Sequence, residues 1–333
     1  MRGIAPLSAC LLALAPAAWP QAHTTRDGRL APKLKNLGDL RFPISTRSKT
    51  AQAFVNQGLT LVYGFNHAEA VRSFREAARI DPQCAMAYWG QALALAPNIN
   101  DFAIGPDREE QGQAAAAAAV ERRSRANAKE RALINAIAAR FTPGEANRDA
   151  LNAAYARAMA KAYAAFPSDP DVATLYADAV MNTMPWDYWT RSGAPKPGIG
   201  EARAALEKTL RAHPNHPGAN HFYIHLMEAS AEVDAAVPAA DRLGALVPGA
   251  GHLVHMPGHI YMRVGRYSDA VAANIKAIAA DEDYITQCRA QGIYPAAYYP
   301  HNIHFMHAAL AMEGRAADAL EAARKVATRT TTP

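Results

Sequence analysis

The sequence predicts an all-α chain of stacked helix pairs, and three observations carry that prediction. Half of the 333 residues are hydrophobic, and alanine is the largest part of that half, which favours closely approaching helices over a thick core. Apolar residues recur at helical spacing, and proline and glycine punctuate the runs at intervals that suit helix ends. Small and aromatic residues also recur with a period of about 34 residues, a length that fits one helix–turn–helix unit.

Taken in order, residues 1–22 carry Arg2, an apolar run and small residues at Ala15 and Ala17, the pattern of a secretory signal. Residues 23–50 read as an N-terminal linker. No later apolar run reaches membrane-spanning length, so the expected location is periplasmic or secreted. The net charge of +5 is mild and its basic residues are scattered, which argues against nucleic acid as a partner. Cys84 and Cys288 remain beyond the signal, and spacing alone leaves their pairing open.

The repeats begin at residue 51. The stretch AFVNQGLTLVYGFNHAEAVRSFREAARIDP places Gly58, Ala70, Phe74, Ala77 and Pro82 at the contact and stop positions of a helix pair. One period on, Ala92 takes the place of Gly58. Residues 126–166 read as two helices joined around Pro143 and Gly144, and residues 171–184 start a further pair. The stretch PWDYWTRSGAPKPGIG then reads as an inserted loop. Gly258, Gly265, Tyr267, Ala270, Asn274 and Ala277 repeat the first pattern, with Ile224 one period earlier and His307 at the small position of a last unit. The stretch DEDYITQCRAQGIYPAAYYP reads as a second insertion between the last two units.

This spacing resembles the tetratricopeptide repeat family across nearly everything from residue 51 to 333. The resemblance implies a right-handed α-solenoid whose first helices line a concave groove. It also implies peptides or protein termini as the usual ligands, and a repeat fold alone assigns no activity.

On the groove helices, positions six and three before the small residue and one and four after it share one stripe. Around Gly258 these are His252, His255, His259 and Met262. Around Ile224 they are Gly218, His221, His225 and Glu228. Around His307 they are His301, His304, Ala308 and Ala311. The first unit has Gln52, Val55, Leu59 and Val62 there, so the stripe histidines are confined to residues 217–333. His221/His225 and His255/His259 are i, i+4 pairs, which aim both rings from one face. Imidazole is the commonest metal ligand. The expectation is a transition-metal site of His221, His225, His252, His255, His259, His301 and His304, with copper favoured and zinc or iron as alternatives. Glu228 is the candidate catalytic base, with a ligand or an orienting role as the alternatives.

Pro257 qualifies the set. If it opens a helix, His255 becomes a cap and His252 belongs to a preceding loop. His67, His213 and His216 fall in turns and are expected to face solvent, and His307 is expected to pack. Trp186, Tyr188, Trp189, Tyr294, Tyr298 and Tyr299 are expected to dock on the solenoid rather than form a lid. Met256 and Met262 offer thioethers to copper, although methionine on a helix more often packs. No serine elbow, glycine-rich nucleotide loop or zinc-protease motif is present in the sequence. The metal reading admits an oxidoreductase or hydrolase of unknown substrate, or a carrier. The competing reading is a metal-free module of the cell envelope that binds a peptide or protein terminus, or a small molecule, in the groove.

Overall fold

The computed structural model of the protein describes residues 24–25, 27–290 and 293–330. The signal segment therefore lies outside the described residues. Among them the regular elements are helical, with α1 Lys49–Tyr63, α2 His67–Ile80, α3 Ala85–Leu95, α4 Pro106–Glu121, α5 Ala128–Arg140, α6 Arg148–Ala165, α7 Pro170–Met181 and α8 Ile199–Ala212. Then follow α9 Pro217–Met227, α10 Val237–Leu246, α11 Gly251–His255, α12 Pro257–Val264, α13 Tyr267–Cys288, α14 Tyr299–Met312 and α15 Ala316–Thr330.

Local chemistry sets the starts. Ser48 accepts from the Ala51 amide, Asn147 and Asp169 cap α6 and α7, and Asn127 with Glu130 forms a reciprocal capping box on α5. Proline occupies the first turn of α4, α7, α9, α10, α12 and α14, where its missing N–H has no helical partner to lose. None of these helices is long and apolar enough to cross a membrane among the described residues.

Consecutive helices pack as α1/α2, α3/α4, α5/α6, α7/α8, α9/α10, α11–α12 with α13, and α14/α15, and each pair packs on the next. That is an all-α helical-repeat solenoid, as the periodicity predicts. Two stretches differ from the sequence reading. The partner of α3 is α4, which the alanine run 114–119 forms after a loop at 96–105. The helix α13 continues through Asp281, Tyr284 and Cys288, all buried at helical spacing, so the second insertion begins only after Cys288. Cys84 and Cys288 are both buried, and no disulfide joins them.

The larger difference is in the groove, because the solenoid curls until α1 touches α9. The fully buried ring of Tyr63 on α1 lies against Gly218 on α9, where a Cβ would come within 2.7 Å of the ring. The Tyr63 hydroxyl donates to Asp171 on α7 at 2.9 Å. Residues 27–48 run along this closure as an extended strap. Phe42 is buried and stacks on Trp89 at 5.6 Å, and the Asn36 carbonyl accepts from the Gly249 amide at 2.7 Å. The histidine stripe, placed on an open concave face by its spacing, is therefore enclosed over His221, His225, His252 and His255.

Candidate metal centre

His221 and His225 project from the same face of α9, with ring centroids 4.7 Å apart. The Pro257 problem resolves differently from the sequence expectation. Gly251 starts α11 against α13, where a Cβ would fall 1.9 Å from Asp281 Oδ1, so no larger residue fits. His252 and His255 are thereby helical rather than loop and cap. Pro257 opens α12 immediately afterwards, and the Met256 and His259 amides still donate to the carbonyls of His252 and Met256. The chain keeps turning through the proline, which leaves His252, His255 and His259 facing one interior. His301 joins them from the first turn of α14.

These six rings fall into two sets of three, His221, His225 and His252 in the first and His255, His259 and His301 in the second. Within each set, one nitrogen from every ring lies within 4.8 Å of the others. In the first set His221 Nε2 is 3.1 Å from His252 Nε2. In the second, His255 Nε2 is 2.8 Å from His259 Nε2 and 3.1 Å from His301 Nε2. The sets are neighbours, with the rings of His225 and His259 centred 6.0 Å apart and those of His252 and His255 5.9 Å apart.

Three of the opposite nitrogens are held from behind, while those of His221 and His252 are buried without a hydrogen-bond partner. Glu228 reaches both sets, accepting from His225 Nδ1 at 3.0 Å and from His259 Nδ1 at 2.6 Å. Asn274 accepts from His255 Nδ1 at 2.7 Å while its own amide nitrogen donates to the Ala270 carbonyl at 2.8 Å, which fixes the amide's orientation. A ring that donates from Nδ1 presents Nε2 as a lone pair when neutral. His255 Nε2 and His259 Nε2 face each other at 2.8 Å, a contact that needs a proton or a cation between them, and buried His225 Nε2 has no hydrogen-bond partner. Both are polar positions that a bound cation satisfies.

Electrostatics keep five of the six rings in the ligand form. Burial drives His221, His252 and His255 well below the ordinary imidazole value, with neighbouring histidines adding to the effect. His225 is lowered by the same burial, and His301 is pushed down to about 3. Burial works to raise Glu228, but His259 and His225 outweigh it and hold the carboxyl below its ordinary range.

Aromatic rings complete the walls. Phe65, at φ 58° in the left-handed region, stacks on His252 at 5.1 Å and His225 at 5.9 Å, and meets His221 edge-on at 4.7 Å. Trp186 and Tyr298, from the two insertions, meet His225 and His252 edge-on at 5.1 and 4.9 Å. Trp186 is tied down by the Ile99 carbonyl, Trp189 by the Leu226 carbonyl, and Tyr188 is buried. Tyr294 and Tyr299 donate to Asp281 and Glu282. Phe305 covers the second set, 4.6 Å from His259 and 4.9 Å from His255.

Some expected residues lie elsewhere. His304 is exposed beside His307, 6.1 Å between rings, because three residues on from His301 turns it by about 60° off that line on a terminal groove helix. His307 Nδ1 donates to the Ala319 carbonyl at 2.8 Å, and so packs α14 on α15. Met256 is buried in the core and Met262 packs partly buried against it. Of the turn histidines, His213 is exposed, but His216 is buried at 3.1 Å from Asp171 and half-buried His67 meets Asn98 at 3.1 Å. Both are drawn inward by the closure around Tyr63 and Phe65. Phe65, Phe305 and Asn274 were not legible as site residues, since none lies on the stripe that carries the histidines.

No protein-family model and no curated protein matches the chain. Among solved structures it is similar to a human IFIT1 dimer with m7Gppp-AAAA, at 14% identity and TM-score 0.44 over 85% of this chain and 64% of that one. It is likewise similar to a monomeric IFIT1 mutant with Gppp-AAAA, at 13% identity, TM-score 0.43, and 84% and 63% coverage. A human IFIT1 dimer with PPP-AAAA gives 13% identity, TM-score 0.41, and 85% and 73% coverage. The chain thus spans less than two thirds of the length of the first two.

Proposed function

We propose that the protein binds two transition-metal ions inside its solenoid, one in each three-histidine set, and that it works outside the cytoplasm. The observation that carries this reading is the convergence of two sets of three imidazoles, closest at His255 Nε2 and His259 Nε2, 2.8 Å apart, whose Nδ1 atoms are already bonded to Asn274 and Glu228. Three imidazoles on a tetrahedral ion at about 2.0–2.1 Å would stand roughly 3.3–3.5 Å apart, so the contacts at 2.8 and 3.1 Å would open slightly while the wider ones, all within 4.8 Å, close.

The donor chemistry favours copper, with zinc next. Six imidazoles without thiolate suit either metal. Both Glu228 oxygens are occupied by Nδ1 groups, which removes the carboxylate that would have favoured iron and makes Glu228 an orienting group. A bound copper or zinc ion supplies Lewis acidity, and copper adds one-electron redox chemistry. The chain's own part is to hold the six imidazoles, to orient His225, His255 and His259 through Glu228 and Asn274, and to exclude water with Phe65, Trp186 and Tyr298. The location rests on the signal-like pattern of residues 1–22.

A peptide-binding groove has less support, because Tyr63, Phe65 and the histidines fill the face such a peptide would line. Titration of metal-free protein with copper or zinc, counted by native mass spectrometry, tests the reading. The expected count is two ions for the wild type and one each for His252→Ala and His301→Ala. A wild type that takes up none, or variants that still take up two, would overturn it.

A further inference from the structure

We infer that the two centres differ in access, and that the ion held by His255, His259 and His301 is the one that takes an exogenous ligand, a small anion of azide or hydroxide size. This rests on the two-ion reading above. The first set is sealed. His221, His225 and His252 are exposed by 0%, 1% and 2%. Phe65 lies over all three rings, Tyr298 backs His252, and Trp186 stands on His225 with its indole N–H fixed by the Ile99 carbonyl at 2.7 Å.

The second set is sealed on one side only. His255 is fully buried, but His259 and His301 are partly open, and Phe305, the ring across them, is itself half-buried. One turn further along α14, His304 stands in solvent. Phe305 packs on all three histidine rings, 4.6 to 5.5 Å between centroids, so a ligand must enter past this half-buried ring. An approach past one packed ring admits a ligand of a few atoms and excludes a polymer.

Charge decides the sign of the ligand. Two divalent ions in neutral imidazoles, with Glu228 as the carboxylate bonded to both sets, leave roughly three positive charges uncompensated in a desolvated interior. An anion relieves that imbalance, and the second centre is where one can reach it.

The test uses protein loaded with cobalt(II) as a spectroscopic probe and titrated with azide, after mass spectrometry has counted the ions. Absence of bound metal at that step is a failure of the two-ion reading and is recorded before azide is added. With two ions present, azide should change the absorption of one of them. The change should persist in His252→Ala, which keeps the second set, and vanish in His301→Ala, which keeps the first. Wild-type protein should also lose its ions to a chelator in two phases differing at least tenfold in rate, and Phe65→Ala should speed the slow phase. An azide response in His301→Ala, no response in loaded wild type, or a single chelation rate would overturn the inference.

Discussion

Glu228→Gln exchanges one oxygen for an NH2 group and leaves the shape of the side chain almost unchanged. In the wild type, one carboxylate oxygen accepts from His225 Nδ1 at 3.0 Å and the other from His259 Nδ1 at 2.6 Å. Glutamine has a single acceptor to offer. One imidazole keeps its bond, while the other faces an amide donor and must move its proton to Nε2, where the lone pair for the metal had been. The negative charge nearest both sets is lost as well. Removal of such an orienting partner costs about 10–100-fold in metal affinity, roughly 1.4–2.7 kcal/mol. Competition against a chromophoric chelator at pH 7.5 measures both binding constants, and circular dichroism checks that the helices persist. The expected result is a loss of that size for at least one ion. Two constants within about twofold of wild type would refute the orienting role of Glu228.

Asn274→Leu should weaken the second set alone by a similar factor, since Asn274 bonds only His255 among the six, and the same competition assay resolves the two sites. Gly218→Ala should lower stability by about 1–3 kcal/mol, because its Cβ meets the buried Tyr63 ring at 2.7 Å and forces α1 from α9; urea denaturation of the metal-free protein measures it. Acid should also destabilise the metal-free protein. His301 titrates at about 3 when folded against about 6.5 when unfolded, so the unfolded chain binds its proton first as pH falls. That contribution is complete above pH 6.5 and lost below it, by roughly 2 kcal/mol at pH 5. The depressed His221, His225, His252 and His255 act in the same direction. Urea midpoints at pH 7.5 and 5.0 read the effect, and equal midpoints would contradict it.

Much of this was legible in local pattern. The spacing of Gly58, Phe74, Gly258 and Asn274 gave the helix pairs, and i, i+4 spacing put His221 with His225 and His255 with His259. The closure was not legible, because Tyr63 on Gly218 joins residues from distant units and leaves no periodic signal. It turned a groove into an interior, buried His216, and brought Phe65 over the first histidine set. The division into two sets was likewise hidden, since it depends on how α9, α11 and α14 converge. His304 shared the stripe by count, yet a terminal helix has no neighbour to enclose it. Pro257 suggested a break that the chain absorbs, because Gly251 seats α11 so closely on α13 that the two short helices continue one turn.

The central claim is tested most directly by the metal content of full-length protein purified without a tag from metal-replete cells, measured by elemental mass spectrometry against protein concentration. The expected content is two equivalents of copper or zinc per chain, with copper in excess. Protein that carries no stoichiometric transition metal, and acquires none on reconstitution, would contradict it.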